Sequence, residues 1–98
     1  MPQFDVFRLQ NGELVVDCQA DVLSGLNTRL VIPLQIIDEG GQVSARLNPL
    51  LTIGGERLVL KTHFAGAIDT RLLRTRTGSA AEHEYAIKAA LDVLISGI

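Results

Sequence analysis

The sequence predicts an α+β domain, a curled, barrel-like antiparallel sheet followed by one C-terminal helix. Two observations point to it. Through most of the chain, short apolar and β-branched segments alternate with tight turn signals. The strongest, Asn11-Gly12 and Gly54-Gly55, are of the two-residue kind that joins antiparallel strands. From Ser79 onward the apolar residues change to helical spacing and hold it to Ile98.

Taken in order, Phe4-Asp5-Val6-Phe7-Arg8-Leu9 is strand-like, rich in aromatic and β-branched residues. Gln10 to Glu13 turns the chain, and Leu14-Val15-Val16-Asp17-Cys18 returns as the second strand. Asp21 to Asn27 is a loop by its Ser24-Gly25 and Asn27. It nonetheless holds Val22, Leu23 and Leu26, which either tuck beneath it or form a contact patch. Thr28 to Leu34 is a continuous apolar run and predicts a buried strand. It is expected to end or bulge at Pro33, which has no N–H for a ladder. Gln35-Ile36-Ile37 continues extended, Asp38 to Gly41 turns, Val43 to Leu47 suits a short strand, and Asn48-Pro49 bends the chain. Leu51-Thr52-Ile53 and Glu56 to Leu60 make a hairpin around two glycines that tolerate positive φ. His63 to Ile68 suits a single helical turn, and Arg71 to Arg76 the last strand.

The terminal helix is expected over Ser79 to Ile98. Ser79 and Glu82 have the spacing of a capping box. Ile87, Leu91, Leu94, Ile95 and Ile98 share one face, which Ala86, Ala89, Ala90 and Val93 widen with small side chains. Only Glu84, Lys88, Asp92 and Ser96 form a polar stripe, with Glu84 before Lys88 in the favourable order for an ion pair. An apolar face wider than about 100° exceeds what one sheet needs. One flank is expected to cover the sheet and the alanine-rich flank to meet a partner. A terminal carboxylate at the negative end of the helix dipole belongs either to a frayed tail or to a tail built for a partner.

Composition bounds the rest. The 98 residues make one domain, residues 1–98, with no linker or internal repeat. Hydrophobic content of 47% supplies a core, but with only three Phe and one Tyr it must be filled by aliphatics. A net charge of -2 gives no general attraction to nucleic acid or acidic membranes. One cysteine, Cys18, forms no internal disulfide and suits a reducing cytoplasm. Asp5 interrupts the first apolar residues, against a signal peptide. No apolar run reaches the roughly 20 residues that span a bilayer. A soluble cytoplasmic protein is expected.

Residue chemistry argues against an enzyme. Phosphate-binding glycine loops and paired Cys/His metal spacings are missing, so neither cofactor nor metal is expected. His83 suits a solvated place in the first helical turn, and His63 a hydrogen-bonded structural role, with a general base beside Lys61 and Thr62 as its alternative. Asp17 and Asp21 suit capping of backbone amides better than a catalytic pair. Arg71, Arg74 and Arg76 suit a solvated face, since no aromatic platform accompanies them for RNA.

Along nearly its whole length the chain resembles the CcdB family, the toxin half of bacterial toxin–antitoxin pairs. The likeness rests on Phe4-Asp5-Val6-Phe7, on Val16-Asp17-Cys18-Gln19-Ala20-Asp21 and on Thr28 to Leu34. Leu47-Asn48-Pro49, Ile53 to Glu56, Thr62 to Ala65, Ile87 to Ala90 and the closing Gly97-Ile98 follow in order and spacing. The resemblance implies a small barrel of the kind shared with MazF-like and SH3-like folds, and a homodimer with the terminal helices at its two-fold interface. It implies a target, the A subunit of DNA gyrase (a type II topoisomerase), trapped after DNA cleavage so that replication stops, and a CcdA-like antitoxin that folds along the toxin. Its target-binding positions fall here on Asp92, Ile95, Ser96, Gly97 and Ile98, with Val22 and Leu23 in the early loop. Well-known members end Phe-Trp-Gly-Ile and carry asparagine where this chain has Asp92. This one ends Ile95-Ser96-Gly97-Ile98. A weakened or decayed toxin, a toxin matched to a different gyrase or topoisomerase, and a homologue that only sequesters antitoxin therefore stay open. So does an endoribonuclease, because MazF-like toxins share the fold and cut mRNA. That activity would need Lys61, His63 and the three arginines to converge.

Overall fold

The structure is a computed structural model, and it describes residues 2–37 and 45–97. Its strands are β1 (Asp5–Arg8), β2 (Leu14–Asp17), β3 (Thr28–Ile36), β4 (Leu50–Ile53), β5 (Glu56–Leu60), β6 (Gly66–Asp69) and β7 (Thr75–Ser79), followed by the helix α1 (Glu84–Ser96). They form one antiparallel sheet in the order β4-β5-β3-β2-β1-β7, with β6 also on β3. The sheet curls into a half-barrel with α1 packed on it, the α+β architecture expected. The β1–β2 turn is closed by Gly12 at φ 90° and by Asn11 Oδ1, which accepts from the Glu13 amide. Gly54 and Gly55 both have positive φ between β4 and β5, as a two-residue hairpin of this twist requires.

β3 is the hub. One of its edges carries β2, and the other carries first β6, opposite Thr28 to Val31, and then β5, opposite Leu34 to Ile36. The strand therefore runs through Pro33 instead of ending there. Pro33 falls in the gap where the β6 register has ended and the β5 register has not begun, so its missing N–H costs neither ladder a bond. β6 replaces the helical turn expected over His63 to Ile68, where only Thr62–Phe64 forms a 3-10 turn. Small residues there pair with β3 because the partner strand, and not their own propensity, decides. The last strand likewise begins at Thr75, since Thr70–Leu72 is a 3-10 turn. The turn expected over Asp38 to Gly41, and Val43 of the short strand, lie outside the described residues; Ala45 to Leu47 form a turn.

Core side chains lie on both faces of the sheet. Val6, Val16, Ile32, Leu34, Leu51, Leu58 and Leu60 form the larger cluster, against which Ile87 and Ala90 of α1 are fully buried. Phe7, Val15, Val31 and Leu73 form a smaller cluster on the opposite face. Burying Ile87 stabilises the docked helix by about 1.5–3 kcal/mol. Leu94 and Ile95 do not join it and face outward, so the core stripe is narrower than the sequence periodicity suggests.

The helix begins later than expected. Ser79 is held in β7 opposite Asp5, and its hydroxyl accepts from the Ala81 amide, not the Glu82 amide. A 3-10 turn, Ala81–His83, intervenes, and the Glu82 carboxylate lies 3.7 Å from His83 Nε2, so the capping box does not form. His83 Nε2 also meets the Thr52 carbonyl at 2.9 Å, tying the start of the helix to β4. A second tie comes from the chain's beginning. Buried Phe4 has φ 71°, a conformation seldom adopted by a residue other than glycine. Its amide donates to the Asp17 carbonyl and its carbonyl accepts from the Ala80 amide.

Candidate functional site

Two outward apolar patches stand on rigid supports. The first is the loop between β2 and β3. Its 3-10 turn, Asp21–Leu23, exposes Val22 at 88% and Leu23 at 48%, and Leu26 follows at 52%. The structure leaves these residues exposed instead of tucked beneath the loop. Polar side chains clamp the backbone beneath them. Asp21 Oδ1 accepts from the Gln3 amide, and Gln19 spans the loop by donating to the Leu23 carbonyl while accepting from the Leu30 amide. Asn27 is fixed through its carbonyl to the Thr70 amide. The Gln3 side chain donates to the Cys18 carbonyl, and its role and that of Gln19 have no signature in the sequence, because the partners of both side chains are backbone groups brought near only by folding.

Beneath this loop lies a buried ion pair that the sequence reading missed. Arg29 Nη2 is 2.7 Å from Asp17 Oδ2, with both side chains almost wholly inaccessible. That contact is an ionic approach, while the Nε to Oδ1 contact at 3.3 Å is the hydrogen bond. Asp17 Oδ1 also accepts from the Gln19 amide, so the expected cap exists alongside the charge pair. Burial pushes the Asp17 carboxyl above its ordinary value, opposed by the Gln19 amide and by Arg29. Next to it, burial and then the Asp17 charge push the Cys18 thiol up to about 12, which leaves it inert as a nucleophile.

The second patch is the end of α1. Asp92, Ile95 and Ser96 are exposed, and Ile95 is 78% so. Gly97 ends the helix in the left-handed conformation at φ 74°, its amide donating to the Val93 carbonyl. Ile98 lies outside the described residues. On the polar stripe Lys88 pairs with Glu84, as expected. The alanine flank borders a hollow of about 270 Å³ lined by Ala86, Ala89 and Val93, with Arg46 and Pro49 opposite. The two patches come from different elements. The first is pinned to the end of the β3–β6 ladder, whereas α1 is anchored by Ile87 and Ala90 in the larger core cluster.

The residues required for RNA cleavage are placed apart. His63 Nδ1 lies 3.3 Å from Asn48 Nδ2, and Lys61 is buried with its ammonium 5.9 Å from the Phe64 ring centre. Arg71 follows β6 while His63 precedes it, so the strand lies between them in the chain. Arg76 binds the buried Asp5 carboxylate, and Arg71 grips Asp69. Asp69 is held down to about 2 by the Arg71 side chain and then by its amide. Among the described residues no three His, Cys, Asp or Glu side chains cluster as metal ligands.

The curled half-barrel with a single terminal helix defines the class of small barrel-and-helix domains. The chain matches the family described as CcdB protein over residues 3–97, and it belongs to that family. It is thus a toxin of a toxin–antitoxin pair by family. No curated protein matches it. Among the described residues no helix is long and apolar enough to cross a membrane.

Proposed function

We propose that the protein binds the A subunit of DNA gyrase and poisons it, without nucleolytic chemistry of its own. The contact surface is Asp92, Ile95 and Ser96 of the last turn of α1 and the residues that follow, Gly97 and Ile98, together with Val22 and Leu23. One observation supports this above the others. Ile95 is 78% exposed at the free end of a helix whose core face is already supplied by Ile87 and Ala90. An isoleucine in that place stabilises nothing within the chain, whereas in a partner's pocket it buries apolar area. The protein acts as a homodimer through α1, whose alanine flank lets a second backbone approach, and a CcdA-like antitoxin neutralises it. The dispersed Lys61, His63 and arginines support the reading that neither RNA nor DNA is cut.

Titration against a gyrase A-subunit fragment tests the assignment. Deleting Gly97 and Ile98 is expected to abolish binding with the fold intact. Ser96→Trp supplies the aromatic anchor other members carry, and such anchors are commonly worth about 2–4 kcal/mol, roughly 30- to 1000-fold in affinity. If the truncated chain bound as well as the wild type, the tail would not be the target surface.

A further inference from the structure

Of the chain's aromatic side chains, Phe4 and Phe7 are buried, and Phe64 leans on the His63 ring with the centroids 4.4 Å apart. Tyr85, in the first turn of α1, is 88% exposed and lends the core nothing. Helical steps from it reach Ala89, Asp92 and Ser96, all exposed, so its ring heads the outward stripe that ends in the proposed target contact. Tyr85 and Ser96 are roughly 16 Å apart along the axis, at about 1.5 Å per residue. Beside the ring opens a hollow of about 540 Å³, lined by Glu82, Glu84, Lys88, Ala89 and Asp92. Lys88 is spent on Glu84, an ion pair within the helix. Among the described residues Glu82 has only His83, at 3.7 Å, and Asp92 pairs with none. The hollow thus joins an open aromatic face to two carboxylates that lack a close cation.

We propose that this hollow seats an arginine of the target, its guanidinium laid on the Tyr85 ring between the charges of Glu82 and Asp92. The proposal rests on the gyrase reading above and names the chemistry of one contact in it. Ser96 leaves the last turn without a ring, and Tyr85 supplies one about three turns earlier on the same stripe. A guanidinium is planar and weakly hydrated, so it stacks on an aromatic face at less cost than an ammonium. Tyrosine and arginine are both enriched where interfaces concentrate their binding energy. A second copy of this chain is the poorer occupant. Two such hollows would set three carboxylates apiece against each other, with one ammonium apiece to answer them.

Tyr85 is the chain's one tyrosine and no tryptophan is present, so its emission reports on this hollow alone. The first measurement titrates that emission with hexa-arginine and with hexalysine. Hexa-arginine is expected to bind at least roughly threefold tighter, with affinity falling as salt rises. The second titrates a gyrase A-subunit fragment against the wild type, Tyr85→Phe and Tyr85→Leu. Tyr85→Phe keeps the ring and is expected to stay within about threefold of the wild type. Tyr85→Leu keeps apolar bulk without the ring and is expected to bind more than roughly tenfold weaker, with thermal melts unchanged in both. Equal fragment binding by Tyr85→Leu and the wild type, or an equal emission response to the two peptides, overturns the proposal. Dissociation of the dimer in Tyr85→Leu overturns it as well, by assigning the hollow to a second copy. A wild type that ignores the fragment yet prefers hexa-arginine overturns the gyrase assignment alone.

Discussion

Replacing Arg29 by methionine keeps the bulk of its stem and removes its charge, leaving the Asp17 carboxylate sealed in the sheet. The structure sets the size of the effect. Both side chains are essentially inaccessible, so water cannot replace the lost partner. Breaking such a pair from one side costs about 3–5 kcal/mol, a large share of the roughly 5–15 kcal/mol that holds a domain folded. The urea midpoint should fall by at least about 1 M. The deficit should also depend on pH in a defined direction. Burial already raises the Asp17 carboxyl above its free value of 3.8, and the substitution removes two of the influences that lower it. A carboxyl raised on folding keeps its proton where the unfolded chain releases it, so stability is gained as pH falls through the folded value toward 3.8 and lost as pH rises. The deficit should shrink as pH falls toward 3.8. Asp17→Val/Arg29→Met should recover most of the loss, leaving about 1 kcal/mol for the orphaned Gln19 amide. An Arg29→Met variant within about 0.5 kcal/mol of wild type, or a deficit flat with pH, would refute this reasoning.

Other outcomes follow from the same coordinates. Ile87→Ala should cost about 2–5 kcal/mol in urea unfolding because it empties a fully buried site. Ile95→Ala should stay within about 0.5 kcal/mol, and equal losses at both positions would contradict the division of α1 into core and contact faces. The Asp69 carboxyl should titrate by NMR with a midpoint of about 2 and move up toward 3.8 in Arg71→Ala. Because folding lowers its pKa, its contribution is present above 3.8 and fades as pH falls toward about 2. A wild-type midpoint near 3.8 would show that the Arg71 contact does not persist in solution.

What the sequence shows depends on how local the cause is. Asn11-Gly12 and Gly54-Gly55 betray their turns because positive φ is a property of those residues. The helix is legible because Ile87 and Leu91 repeat with its period. β6 is not, since a small-residue segment becomes a strand only when β3 offers an edge. The passage of β3 through Pro33 has the same origin. Arg29 hides within an apolar run because its partner lies on another strand, although Asp17 could be read as a cap. At the candidate site, Val22 and Leu23 were visible as apolar residues in a loop, but their exposure depends on clamps by Gln3 and Gln19. The arginines changed company for similar reasons, with Arg76 taken by buried Asp5 and Arg8 brought beside Arg74 by the β1–β7 pairing.

The double bond made by Phe4, to Asp17 on one side and Ala80 on the other, bears on the life of the protein during synthesis. Domains tend to fold from the N-terminus as they leave the ribosome. Here the first strand cannot find its second neighbour, β7, until nearly all the chain has emerged, and contacts so distant in sequence form slowly. The Phe4 clasp needs Ala80, just ahead of α1, so it too waits for the late part of the chain. A chain still lacking Ala80 leaves the Phe4 carbonyl and the β7 side of β1 without these partners, so the two ends of the domain are secured together.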